Sequence, residues 1–303
     1  MSNPVIRVIR AGDTSKPDPF TVCIVANPAL EAPRGTGQFM TDPILANQPA
    51  FDAAVTYIHD CLFGRLPGQG EALLAVPDIA ARVRIVSLFD SGLPPQDANS
   101  LVANDSMSNQ LVARRTAAKP FLSRFGLAAD VVYCVSHSAT HGRATAWFTS
   151  DDDAGGGVAF TLDGVTLHHR FDNLIPGTIA IHARASSLTA LHEFQHALSS
   201  YTNGKIVDLY VQSPPAVNCK HGRPIPAAFA NYNGTVHNSD PVRDGLGYPP
   251  TGTQFHCALH NPNAPAVMDN YPTTPAPAPP VSCQNDQITR RFMLDRLRAK
   301  MSR

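Results

Sequence analysis

"FTVCIVAN" (20–27), with "RVRIVSLF" (82–89) and "ADVVYCVS" (129–136), decides the fold class. Each run is short, rich in β-branched residues and almost continuously apolar, the pattern of a strand buried on both faces rather than one face. Between them, "PAFDAAVTYIHDCLFG" (49–64) and "NQLVARRTAAKPFLSRFG" (109–126) carry helical spacing, the second strained by Pro120. A β-α-β-α-β order implies an α/β domain on a mostly parallel twisted sheet. "ATAWFTS" (144–150), "GGGVAFTLDG" (155–164) and "GTIAIHA" (177–183) add shorter strands, one expected as an antiparallel edge near 157–162.

After residue 211 the texture changes to Pro, Asn, Gly and His, with a Pro-rich "YPTTPAPAPPVS" at 271–282. Two units are expected: an α/β catalytic part over 1–211 and a loop-rich part over 212–303. The tail from Asp286 has the spacing of an amphipathic helix that packs back on the body through Ile288, Phe292 and Leu297. Hydrophobic residues make up 43% of the 303, enough for a sizeable core. Zero formal charge gives no basic surface for nucleic acid. No run of about 18 apolar residues suggests a membrane span. The opening residues do not read as a signal peptide, so localisation stays open between retention in the cell and loss of a leader. Six dispersed cysteines without a CxxC exclude a cysteine-based zinc finger, and Cys23 and Cys134 read as buried thiols.

The chemistry concentrates in "SSLTALHEFQHALSSYTNG" (186–204), expected to be one helix capped by Ser186 or Ser187 and stopped at Asn203-Gly204. Leu188, Leu191, Phe194 and Leu198 share an arc that faces the core. His192 and His196, at i and i+4, lie one turn apart on another arc, where both imidazoles reach one ion at about 2.0–2.1 Å. Glu193 lies beside them, placed to reach a water rather than the ion. This is HExxH. With 12 histidines and three glutamates in the chain, its chance occurrence is well under ~1%.

No glutamate follows Glu193, so the third ligand falls to His or Asp. Asp208 is the nearest candidate, just past Gly204, where a short loop closes a chelate cheaply. His221, His237, Asp240, His256 and His260 are the alternatives. Other clusters carry less: "SHSATHG" (136–142) reads as a loop despite His137 and His141. His168 and His169 point apart on a strand, and "DDD" (151–153) reads as a solvated turn.

On "HEFQH" the chain resembles a zincin metallopeptidase, metzincin-like. More loosely it resembles the IgA-protease-like family, through "FTVCIVAN", "GGGVAF", "HEFQH" and "DLY". Met268 in "NAPAVMDNYP" (263–272) is similar to the methionine turn of metzincins. The resemblance implies one catalytic zinc held by His192, His196 and Asp208, a peptide or protein substrate, and Glu193 as general base. Tyr210 or Tyr271 supplies an oxyanion donor in that reading. A non-catalytic zincin-fold binding protein and a zinc amidase are the alternative readings.

Overall fold

The computed structural model describes residues 4–16, 19–106, 109–147 and 176–198 with their side chains. It also describes the backbone of seven strands between 158 and 259, and residues 267, 285, 290, 293, 294, 297, 298 and 301. In chain order the strands are β1 (Val5–Arg10), β2 (Phe20–Ala26), β3 (Ala29–Glu31), β4 (Phe39–Thr41), β5 (Val83–Phe89) and β6 (Ser100–Asp105). Next come β7 (Gln110–Ala113), β8 (Val131–Ser136), β9 (Thr145–Trp147), β10 (Val158–Leu162), β11 (Val165–His169) and β12 (Gly177–His182). The last are β13 (Ser200–Thr202), β14 (Lys205–Gln212), β15 (Arg223–Pro224), β16 (Val236–Asn238) and β17 (Thr253–Leu259). The helices are α1 (Gln48–Leu62), α2 (Pro77–Ala80), α3 (Ala118–Ser123) and α4 (Thr189–Leu198).

The central sheet runs β1-β5-β2-β8-β12-β9. Its four inner strands pair in parallel, and β1 and β9 close the two edges antiparallel. The chain is therefore α/β, on a mostly parallel sheet. Alternation along each inner strand explains why the runs read as continuously apolar. Phe20, Val22 and Ile24 of β2 enter the same core as α1 and α4, while Cys23 and Val25 enter a second core with α3 and the β4-β3-β6-β7 sheet. Both faces are covered, so neither can be polar. α1 starts with Asn47 capping the Ala50 N–H at 3.0 Å and Pro49 in its first turn, and it buries Phe51, Val55, Ile58 and Leu62.

Several expectations need correction. The helix expected over 109–126 is a strand followed by a short helix. Leu111 and Val112 lie in β7, paired with β6 through a turn in which Asn109 takes φ 55°. Pro120 sits in the first turn of α3, where its missing N–H would have had no helical partner, so it imposes no strain. The strand near 157–162 is β10, paired with β11 in its own two-stranded sheet; the edge of the central sheet is β9. The residue 211/212 boundary falls inside β14, which pairs in parallel with β17. Strands thus cross into the segment expected to be loop-rich. In the C-terminal tail, residues 290, 293, 294, 297, 298 and 301 are helical. Met293, Leu294, Leu297 and Met301 are buried in the α1/α4 core, and Arg298 pairs with Asp78 at 2.8 Å. Ile288 and Phe292 lie outside the described residues.

Candidate metal centre

Helix α4 is positioned by packing at both ends. Leu188, Leu191, Phe194 and Leu198 are buried, as the arc required, and Phe194 meets Phe20 of β2 edge-on at 6.0 Å. The last turn lies so close to the first residue of β12 that a Cβ at Gly177 would sit 2.7 Å from the Ala197 carbonyl oxygen. Only glycine allows that approach. The helix is shorter than expected: it ends at Leu198, and Ser200 already begins β13. At its start the Ala190 N–H donates to the Tyr57 hydroxyl of α1 at 3.2 Å, and the Tyr133 hydroxyl of β8 donates to the Ala190 carbonyl at 2.8 Å.

The two histidines of the motif converge. His192 Nε2 and His196 Nε2 lie 3.1 Å apart, with ring centroids separated by 4.7 Å and planes at 80°. An ion at about 2.05 Å from each nitrogen would then be held at an N–metal–N angle of about 98°, which a four-coordinate centre accepts. The other ring nitrogen of His192 has its own partner: Nδ1–H donates to the Val267 carbonyl at 2.8 Å. That bond puts the proton of His192 on Nδ1, so its Nε2 accepts from the His196 Nε2–H and is the atom a metal would take in place of that bond. The histidines are half-buried and Glu193 between them is buried, 7% exposed. Tyr133 is pushed well above its ordinary value by burial first, then by the charges of Cys61, Tyr57 and Glu193.

The remaining site residues fall as follows. Asp208 and Tyr210 lie within β14, which begins at Lys205 just past Gly204, their backbones paired with Phe255 and Cys257 of β17. His237 is on β16 and His256 on β17. The side chains of these four lie outside the described residues. His221, Asp240, His260, Met268, Tyr271 and 151–153 lie outside them altogether. Among the described residues no group of three His, Cys, Asp or Glu side chains could hold a metal. His168 and His169 belong to β11. "SHSATHG" forms no helix after β8: the His137 ring meets His182 edge-on at 5.2 Å, and His141 Nδ1 lies 2.6 Å from Thr140 Oγ1.

Two contributors were missed by sequence reasoning. Val267 acts through a backbone oxygen 75 residues from its partner, a signal no motif carries. The adjacency of Met268 to it was the available hint. His182, at the end of β12, donates from Nε2 to the Ser138 carbonyl at 3.1 Å and accepts the Arg184 N–H on Nδ1 at 3.0 Å, bracing the path from β12 toward α4. No protein-family model, curated protein or solved structure matches the chain. Among the described residues no helix is long and apolar enough to cross a membrane.

Proposed function

We propose that the chain is a zinc-dependent metallopeptidase of the zincin type, hydrolysing a peptide bond with Glu193 as general base. The observation that carries this reading is the 3.1 Å convergence of His192 Nε2 and His196 Nε2, with His192 Nδ1–H held on a backbone carbonyl. The two rings share one Nε2–H···Nε2 hydrogen bond, and both Nε2 atoms lie within reach of a single ion. The residues fit a zinc ion: imidazole nitrogen is a favoured ligand, and the carboxylate between the two belongs beside, not on, the ion.

When bound, zinc supplies a Lewis acid that acidifies a coordinated water and polarises a carbonyl. A Glu193 carboxylate oxygen accepts the proton of the attacking water and later delivers it to the leaving amine nitrogen. Asp208 is the proposed third ligand. Tyr210 or Tyr271 is the proposed O–H donor to the oxyanion that develops on the scissile carbonyl.

The test is metal content and affinity. The purified chain is expected to hold about one zinc, removed by a strong chelator, and His192→Ala and His196→Ala each to lose it. Asp208→Ala is expected to weaken zinc binding steeply while His221→Ala and His237→Ala leave it near normal. Absence of any first-row metal from folded, zinc-supplemented protein would sink the proposal. Normal affinity in Asp208→Ala with loss in one histidine variant would reassign only the third ligand.

A further inference from the structure

The geometry points to Tyr57 of α1 as a positioning residue for the histidine pair, clamping the turn that feeds α4; this inference rests on the metal-site reading above. Ser187, two residues before α4, sits at φ 56°, a left-handed conformation unfavourable to a residue with a Cβ. Such a conformation persists only where surrounding groups over-determine it, and here the groups are named. The Tyr57 hydroxyl lies 3.0 Å from the Ser186 carbonyl and 3.1 Å from the Ser187 carbonyl, so its single proton is shared between the two. The same oxygen accepts the Ala190 N–H, one of the N–H groups the first turn of a helix leaves without an internal partner. Cys61, one turn further along α1, donates its thiol to the Ser187 carbonyl at 3.7 Å.

One phenol therefore ties the strained turn to the first turn of the helix. His192 follows Ala190 by two residues, and its own N–H closes onto the Leu188 carbonyl at 2.9 Å inside that turn. A helix freed to slide or rotate by a fraction of an ångström at this end moves both Nε2 atoms off their common point. The Val267 carbonyl holds only one of the two rings. Metal ligation tolerates little such displacement, so the penalty falls on zinc affinity more than on folding. Core packing of α4 through Leu191, Phe194 and Leu198 remains when the hydroxyl is lost.

The experiment is Tyr57→Phe, alone and with Ser187→Gly, in the full chain, read by zinc affinity against a competing chelator and by urea unfolding of the metal-free protein. Tyr57→Phe is expected to lower zinc affinity at least tenfold with little shift in the unfolding midpoint. Adding Ser187→Gly is expected to recover most of it, because glycine holds φ 56° without a clamp. A Tyr57→Phe variant with unchanged zinc affinity overturns the inference. So does one in which affinity is not recovered by Ser187→Gly, since a merely structural hydroxyl gives that result. Should the wild-type chain bind no zinc, the metallopeptidase reading fails separately. The clamp is then judged on the ¹⁵N shift of His192 Nδ1, which Tyr57→Phe must move and Ser187→Gly restore.

Discussion

On α4 the Nε2 atoms of His192 and His196 lie 3.1 Å apart, while Glu193 between them is buried. Glu193→Gln keeps the shape and removes the basic oxygen. It is expected to retain zinc and to slow peptide hydrolysis by roughly 10²–10⁴-fold, checked by metal content beside turnover. Wild-type rates in that variant would exclude Glu193 as base. The sequence made this much legible because i, i+4 is a local relation that needs only a helix. Val267 and Tyr57 were not legible, since both reach α4 from elsewhere in the chain and Val267 does so through its main chain. His182 carries a second expectation. Burial, first, lowers its pKa below the ordinary 6.5; the charges of His137 and Arg184 add to this, while its bond to Ser138 and the charge of Asp42 oppose it. The unfolded chain then binds its proton more readily than the folded one. Its contribution is full above about pH 6.5 and declines as pH falls through the lowered value. With chelator present, the wild type is expected to lose more stability between pH 7.5 and 5 than His182→Asn, in urea titrations. Equal losses would remove His182 from the account.

At the scale of elements, the contact that sets α4 on the sheet is Gly177 under Ala197. Gly177→Ala places a methyl against a backbone oxygen that cannot turn aside, so β12 and α4 must part. The expected cost is about 1–3 kcal/mol, by analogy with overpacked cores, with weaker zinc binding. Gly142→Ala, with open space around it, is the matched control for the unfolding measurement. The same scale shows why some elements were legible and others not. β2, β5 and β8 announced themselves because burial on both faces leaves an unbroken apolar run. β7 did not: four residues, Gln110–Ala113, match helical and extended patterns equally, and pairing with β6 decided between them. β1, "VIRVIR", went unread as a strand. Its residues Val5, Ile6, Val8 and Ile9 remain exposed at the sheet edge, so its strand character rests on pairing with β5 rather than on burial.

Across the whole molecule, the α1/α4 core gathers elements from distant parts of the chain: β2 near the start, α4 past its middle, and the tail residues Met293, Leu297 and Met301. The His192–His196 helix thus rests on packing contributed from both ends, and of the three tail residues expected to pack back, Leu297 is described and buried there. The described thiols add a dimension of time. Burial pushes Cys23 and Cys61 up to about 12 and Cys134 higher still, so at neutral pH almost no thiolate is present to react. An alkylating reagent must wait for the fold to open. Cys61 lies against the Ser187 carbonyl, whereas Cys23 and Cys134 lie in the opposite layer. The chain therefore carries two clocks: labelling of Cys61 counts partings of α1 from the turn before α4, and labelling of the other pair counts openings of the sheet. If the first runs faster than the second, α4 lets go before the molecule does.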